Sequence, residues 1–183
     1  MNKIGTGQIQ TARLLLRPYT EMDADAIYYG WASDPLVTRF LTWPTHKNAD
    51  VTKAVLSDWL SRYENGDYFN WAIARKDTGE VIGNIAVVNL EEAAQAAEVG
   101  YCLGRAYWGQ GVMTEALRAV IDYLFDEAGL NRVAAYHDVN NPASGRVMEK
   151  AGMRREGVFR QAKKNNRGLC DVAWYAILKS DRG

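Results

Sequence analysis

The stretch Arg105-Ala-Tyr-Trp-Gly-Gln-Gly-Val-Met-Thr-Glu-Ala116 decides how this chain is read. Gly109 and Gly111 punctuate it. The run before it, Glu98-Val-Gly-Tyr-Cys-Leu103, has the residue types of a strand, and Met113 to Glu127 keeps a helical period. Strand, glycine turn and helix N-terminus together build an anion cradle. Glycine lets the main chain approach closely, and the unpaired N–H groups of the first helical turn point at the ligand. A pyrophosphate suits such a cradle. A plain tight turn capping a buried helix is the other reading, and the motif alone does not choose.

Working outward, Ala12 to Pro18, Phe69 to Arg75, Val81 to Leu90, Glu98 to Leu103, Arg132 to Val139, Arg154 to Phe159 and Asp171 to Leu178 read as strands. Helices are expected from the capping-box-like Thr20-Glu-Met-Asp23 to Ala32, from an Asn48 or Asp50 cap to Asn65-Gly66, over Gly111 to Asp126, and from Pro142 to Lys150. Asp34-Pro35 is a break, Lys163 to Gly168 a loop, and Glu91 to Ala97 suits a helix or a loop. The order is mixed α/β. Three consecutive strands imply an antiparallel meander, and the strand-helix-strand unit 98–139 implies one parallel pair. The length suits one domain, 1–183.

Lys+Arg and Asp+Glu both number 22, so the formal charge is zero and a broad basic face for nucleic acid is disfavoured. No apolar run is long enough to span a bilayer. Met1 to Gln10 does not read as a secretory signal. Cys102 and Cys170 have no metal-site or disulfide-framework spacing. A reducing, cytoplasmic location and no metal are therefore expected.

Taken together, these pieces resemble the GNAT superfamily of acetyl-CoA-dependent N-acetyltransferases, and within it the RimJ/RimL-type ribosomal-protein N-terminal acetyltransferases. The carriers are Thr11-Ala-Arg-Leu-Leu-Leu-Arg-Pro18, Ser33-Asp-Pro35 with Phe40-Leu-Thr-Trp-Pro44, and Thr78-Gly-Glu-Val-Ile-Gly83. Glu98-Val-Gly-Tyr101, Trp108 to Ala116, and Asn141-Pro-Ala-Ser144 through Glu149-Lys-Ala-Gly152 complete them. Their joint order is specific. The resemblance implies a mostly antiparallel twisted sheet with one splayed parallel pair, flanked by helices. Two positions depart from the pattern. Ala106 stands where Gln or Arg usually opens the phosphate loop, with Arg105 as a partial substitute. Met148 stands where many relatives carry a proton-donating Tyr.

The reaction so implied is attack of a neutral amine on a thioester, through an oxyanion, expelling a thiolate. In the resembled fold the main chain around Ala106, Tyr107, Trp108, Gly109, Gln110, Gly111 and Val112 holds the pyrophosphate, while Met113 and Thr114 open the helix beneath it. Pantetheine enters a gap beside Leu103, where an N–H near Cys102 or Leu103 polarises the thioester carbonyl. Ser144 is the expected proton donor to sulfur, or else a helix-capping residue; Asn141 holds the pantetheine arm or caps the same helix. Glu98 is the candidate base or an ordinary strand-end carboxylate. Trp108 is read as a wall, Cys102 as a small buried hydrophobe, and His137, facing away from Asp138, as structural. Trp43 in its loop, Tyr28, Trp31 and Trp71 either line an acceptor groove or pack the core. The acidic face Glu21, Asp23, Asp25 and Asp34 reads as solvated, and Lys163, Lys164 and Arg167 as an exposed hairpin.

A free α-amine titrates near 8 and a lysine near 10.4, so at pH 7.4 roughly a fifth of the former is neutral against about 0.1% of the latter. A weak base suffices for an N-terminal amine. The leading expectation is a protein or peptide N-terminal acetyltransferase, monomeric or homodimeric; a small-molecule amine acetyltransferase is the alternative. A CoA-sensing module is a non-enzymatic reading. A dinucleotide-binding domain is disfavoured because Thr114 replaces the third glycine of its fingerprint.

Overall fold

The computed structural model describes residues 1–182; Gly183, the last residue of the expected domain, lies outside the described residues. One eight-stranded sheet runs in the order β1-β2-β3-β4-β5-β6-β8-β7. Its strands are β1 (Ile9–Gln10), β2 (Leu14–Arg17), β3 (Asn70–Arg75), β4 (Val81–Glu91), β5 (Ala96–Leu103), β6 (Arg132–Asp138), β7 (Arg154–Asn165) and β8 (Gly168–Leu178). Every neighbouring pair is antiparallel except β5 and β6. That parallel pair holds register only at Ala96↔Arg132, Ala97↔Val133 and Glu98↔Ala134, although both strands run on. Beyond Glu98 the two strands part, and the gap is the splay the resemblance implied.

The helices are α1 (Ala24–Ile27), α2 (Pro35–Thr38), α3 (Ala49–Arg62), α4 (Val112–Asp126) and α5 (Pro142–Lys150). Alternation along the strands divides the core between the two sheet faces. Leu14, Leu16, Trp71, Ile73, Val99 and Val133 pack with α4 and α5 on one face. Leu15, Ala72, Ala74 and Cys102 pack with Ile27, Trp31 and Leu56 on the other. α4 shows why its sequence is helical: Val112, Met113, Ala116, Leu117, Val120, Ile121, Leu124 and Phe125 form one buried stripe.

Several local expectations change. The helix expected over 20–32 is a tight turn at Glu21–Asp23, then α1, then a π-helical turn at Tyr28–Ala32. There the Ser33 hydroxyl donates back to the Tyr28 carbonyl at 2.8 Å. Asp34-Pro35 starts a helix instead of ending structure, because the Asp34 carboxylate accepts from the Leu36 N–H at 2.8 Å. The expected loop 163–168 shrinks to the Asn166-Arg167 turn, since β7 continues through Lys163↔Cys170 and Asn165↔Gly168. Glu91 to Ala97 is neither helix nor simple loop; a turn with Gln95 at positive φ feeds β5 from Ala96.

Candidate active site

The glycine turn is held by its neighbours and left open on its own main chain. Gly109 and Gly111 sit at φ +74° and +73°, where other residues are strained. Trp108 donates its indole N–H to the Leu103 carbonyl at 2.8 Å, tying the turn to the end of β5. Arg13 donates to the Gln110 carbonyl at 3.0 Å and pairs through Nε with Glu115 at 2.6 Å. The backbone N–H of Trp108 is bonded to Arg105, and that of Glu115 to Gly111. Between them, the six N–H groups of Gly109 to Thr114 have no acceptor among the described residues. Six convergent unsatisfied donors at a helix N-terminus form a cradle that suits a multiply charged anion. Arg105, the partial substitute for the usual loop cation, is tied through one nitrogen to an acid. Its Nε is bound to Asp34 at 2.9 Å, away from the turn.

Across the splay, Ser144 and Asn141 stand on the first turn of α5. Neither caps it with a side chain. Asn141 donates its backbone N–H to the Asp138 carbonyl at 2.7 Å and accepts from the Ser144 N–H at 3.1 Å, while its side-chain amide has no partner among the described residues. The Ser144 hydroxyl lies 3.0 Å from the Tyr101 hydroxyl, which also donates to the Ser144 carbonyl at 3.1 Å. Burial pushes the Tyr101 phenol well above its ordinary value, so the group is protonated at neutral pH. Met148 is buried in the core, as expected of a thioether with no proton to give. Gly104 donates to the Ile82 carbonyl at 2.8 Å, and the antiparallel alternation then turns the main chain of Cys102 toward β4 and that of Tyr101 and Leu103 toward the gap. Leu103, not Cys102, presents its N–H there. The Cys102 thiol packs with the second core cluster, and burial pushes it up to about 12, so it is no nucleophile at neutral pH.

Glu98 lies on the opposite face of the sheet from Ser144. Ala97 and Val99 enter the α4 side, which turns Glu98 to the other. It is half-buried; burial raises its carboxyl above the usual range, and Lys163 partly offsets the shift. Tyr136 shares this face, with its ring 5.1 Å from Trp174. Lys163 stands 4.7 Å over the Tyr136 ring and 5.5 Å over Trp174. Asp138 closes this region. Burial works against its charge, yet hydrogen bonds from Asn140 and Asn165, with Arg167 adding, hold it below the usual carboxylate range. The hairpin tip is pinned by Asn166, whose amide donates to the Thr38 and Trp43 carbonyls, both at 2.8 Å. The gap between β5 and β6 thus has a carboxylate at one mouth and a Ser–Tyr hydroxyl pair at the other.

A family model described as an acetyltransferase (GNAT) domain matches residues 13–154. The chain belongs to the GNAT acetyltransferases. It is 32% identical to the uncharacterized N-acetyltransferase YoaA of Bacillus subtilis, over 93% of this chain and 96% of that protein. It is 30% identical to the ribosomal-protein-serine acetyltransferase of Escherichia coli, over 75% of this chain and 76% of the relative. Its fold superposes with a TM-score of 0.84 on a solved RimL, a ribosomal L7/L12 α-N-protein acetyltransferase in complex with coenzyme A. That match covers 94% of this chain and 98% of the other at 23% identity, a likeness of fold. This acetyltransferase has the mixed α/β sheet, with one parallel pair, that the sequence led one to expect. No helix among its described residues is long and apolar enough to cross a membrane.

Other sequence expectations for this GNAT protein are redistributed. Trp31 and Trp71 are core residues at 1% and 0% exposure, and Trp71 donates to the Gly7 carbonyl at 2.7 Å; neither lines a groove. Asp23 is not a solvated acid: Arg17 binds both its oxygens at 2.8 Å. His137 packs against Gly145 of α5, where a Cβ would meet its Nε2 at 2.6 Å, which fits a structural role. Lys163 is not simply exposed. Tyr101 was missed, and so was the part Arg13 plays. Strand alternation could have placed Tyr101 on the α5 side; nothing local could have paired it with Ser144.

Proposed function

We propose that the chain transfers the acetyl group of acetyl-CoA to the N-terminal α-amine of a protein or peptide, by direct attack in a ternary complex. The observation that carries this reading is the parted β5–β6 pair, with Glu98 at one mouth, Ser144 and Tyr101 at the other, and six unpartnered N–H groups beside it. Acetyl-CoA, bound, supplies an activated thioester. The N–H groups of Gly109 to Thr114 hold its pyrophosphate, and the free Asn141 amide holds the pantetheine arm. The Leu103 N–H faces the gap and stabilises charge on the carbonyl oxygen. Glu98, raised toward neutrality by burial, takes the proton of the incoming ammonium directly or through water. Ser144 protonates the departing sulfur, with the Tyr101 hydroxyl behind it. The 1–183 chain acts as one cytoplasmic domain.

An α-amine needs only a modest base, which suits a carboxylate acting alone. The ribosomal-protein acetyltransferase among the relatives supports a protein acceptor. Purified enzyme mixed with acetyl-CoA and peptides with free N-termini should release thiol and yield peptides heavier by one acetyl group on the α-nitrogen. Turnover confined to polyamines or free amino acids would move the assignment to small-molecule acetylation.

A further inference from the structure

The acceptor face carries three cations, Arg39, Lys163 and Arg167. They form no ion pair among the described residues; Lys164, the next residue along β7, turns to the other face. The three gather in a chain that is neutral overall, with 22 residues of each sign. The Arg39 and Arg167 guanidiniums both stand over the Phe40 ring, at 5.2 and 5.5 Å. Both residues are exposed, and the hairpin tip that carries Arg167 is tied to the segment that carries Phe40. The Asn166 amide bolts the hairpin tip to the Thr38 and Trp43 carbonyls, and the Asn166 N–H adds a bond to the Leu41 carbonyl at 3.2 Å. Asp138 feels the charge of Arg167 but forms no ion pair with it; its oxygens accept from Asn140 and from Asn165. Lys163 is likewise fixed, over Tyr136 and Trp174, with its charge felt by Glu98.

We propose that these cations select acceptors with acidic residues directly after the reacting amine: the substrate is an acidic peptide N-terminus. The inference rests on the N-terminal acetyltransferase reading and narrows it. Lys163 marks the end of the cationic run beside Glu98, and Arg39 with Arg167 mark its far end. Strand β7 rises about 3.3 Å per residue, so from Lys163 to the turn after Asn165 the run covers roughly 7–10 Å. That is too long for one amino acid and matches about three residues of extended peptide. A peptide entering amine first would place its α-nitrogen at Glu98 and its next side chains against the cations. Clustered charge of one sign on a surface favours the complementary partner and disfavours its opposite.

The test uses the full chain and three peptides with the same N-terminal serine, followed by Glu-Glu, Gln-Gln or Lys-Lys. Thiol release from acetyl-CoA gives kcat/KM, and anisotropy of C-terminally labelled peptides gives Kd whether or not turnover occurs. The Glu-Glu peptide should show a kcat/KM about tenfold higher and a Kd about tenfold lower than Gln-Gln, about 1.4 kcal/mol. Lys-Lys should be poorest, and the Glu:Gln ratio should fall as sodium chloride is raised. R39Q combined with R167Q should flatten that ratio, and R39E with R167E should invert it. Equal values for Glu-Glu and Gln-Gln, with both peptides acetylated, would overturn this proposal and leave the N-terminal acetyltransferase reading intact. Failure of every peptide to bind, with polyamines turned over, would overturn both.

Discussion

The turn at Trp108–Gly111 and the wall around Glu98 are built from different materials. The turn is one contiguous stretch whose working groups are backbone N–H donors, and its shape needs two glycines at positive φ. The wall draws Glu98 from β5, Tyr136 from β6, Lys163 and Trp174 from the last hairpin and Arg39 from the segment after α2, and its working groups are side chains. In the proposed reading, a cradle of main-chain atoms tolerates Ala106 in place of a cation. A side-chain wall changes with every substitution, so the acceptor half is where relatives with one cofactor can diverge.

The largest expected break falls on the chemistry between these halves. Glu98→Gln should lower kcat by about 10² or more, with little change in the KM for acetyl-CoA. The wild-type kcat/KM should show an acidic limb above the ordinary carboxylate value, because burial raises the Glu98 pKa. That limb should vanish in Glu98→Gln and move upward in Lys163→Met, since Lys163 lowers the pKa. The sign for stability is opposite. A carboxyl whose folded pKa is raised disfavours the fold while ionised, and this penalty disappears as pH falls below the unfolded value near 4.5. Glu98→Gln should therefore melt no lower than wild type at pH 7.

Ser144→Ala should reduce kcat by about 10² in single-turnover kinetics. Tyr101→Phe should reduce it by about tenfold. The double variant should be no worse than Ser144→Ala, because the Tyr101 hydroxyl contacts Ser144 and acts through it. Additive losses would detach Tyr101 from the serine.

Gly111→Ala probes the contiguous half alone. A Cβ there meets nothing nearer than the Arg13 guanidinium at 3.6 Å, so the penalty is conformational, about 1–2 kcal/mol. The KM for acetyl-CoA should rise by about tenfold while the acceptor KM holds. Asn166→Ala probes the assembled half. Losing two hydrogen bonds to the 38–43 segment should raise the acceptor KM by about threefold to tenfold and leave the acetyl-CoA KM unchanged. A shift in both constants from either variant would erase the distinction between the halves.

Strand 70–75, most of strand 81–91, strand 96–103 from Glu98 onward and helix 112–126 were legible in the sequence, because alternation and helical spacing are local properties of the chain. The glycine turn was legible for the same reason. The π-helical turn at Tyr28–Ala32 was not, because it depends on Ser33 bonding back to Tyr28 and on the close approach of Gly104 to the Gly30 carbonyl. Trp31 and Trp71 carried the same local signal as Trp43, and only packing set them apart: the first two are buried, and Trp43 is half-buried against the second core cluster.

By itself, then, the sequence determined the element order, the open N–H row after Trp108 and the candidate pair Glu98 and Ser144, all set by backbone chemistry and short-range periodicity. Tertiary structure alone decided that Glu98 and Ser144 open on opposite mouths of one gap, that Tyr101 reaches Ser144, and that Lys163 joins the wall near Glu98. Those relations depend on where strands stop pairing and which side chains meet across long separations, and no local residue pattern encodes either.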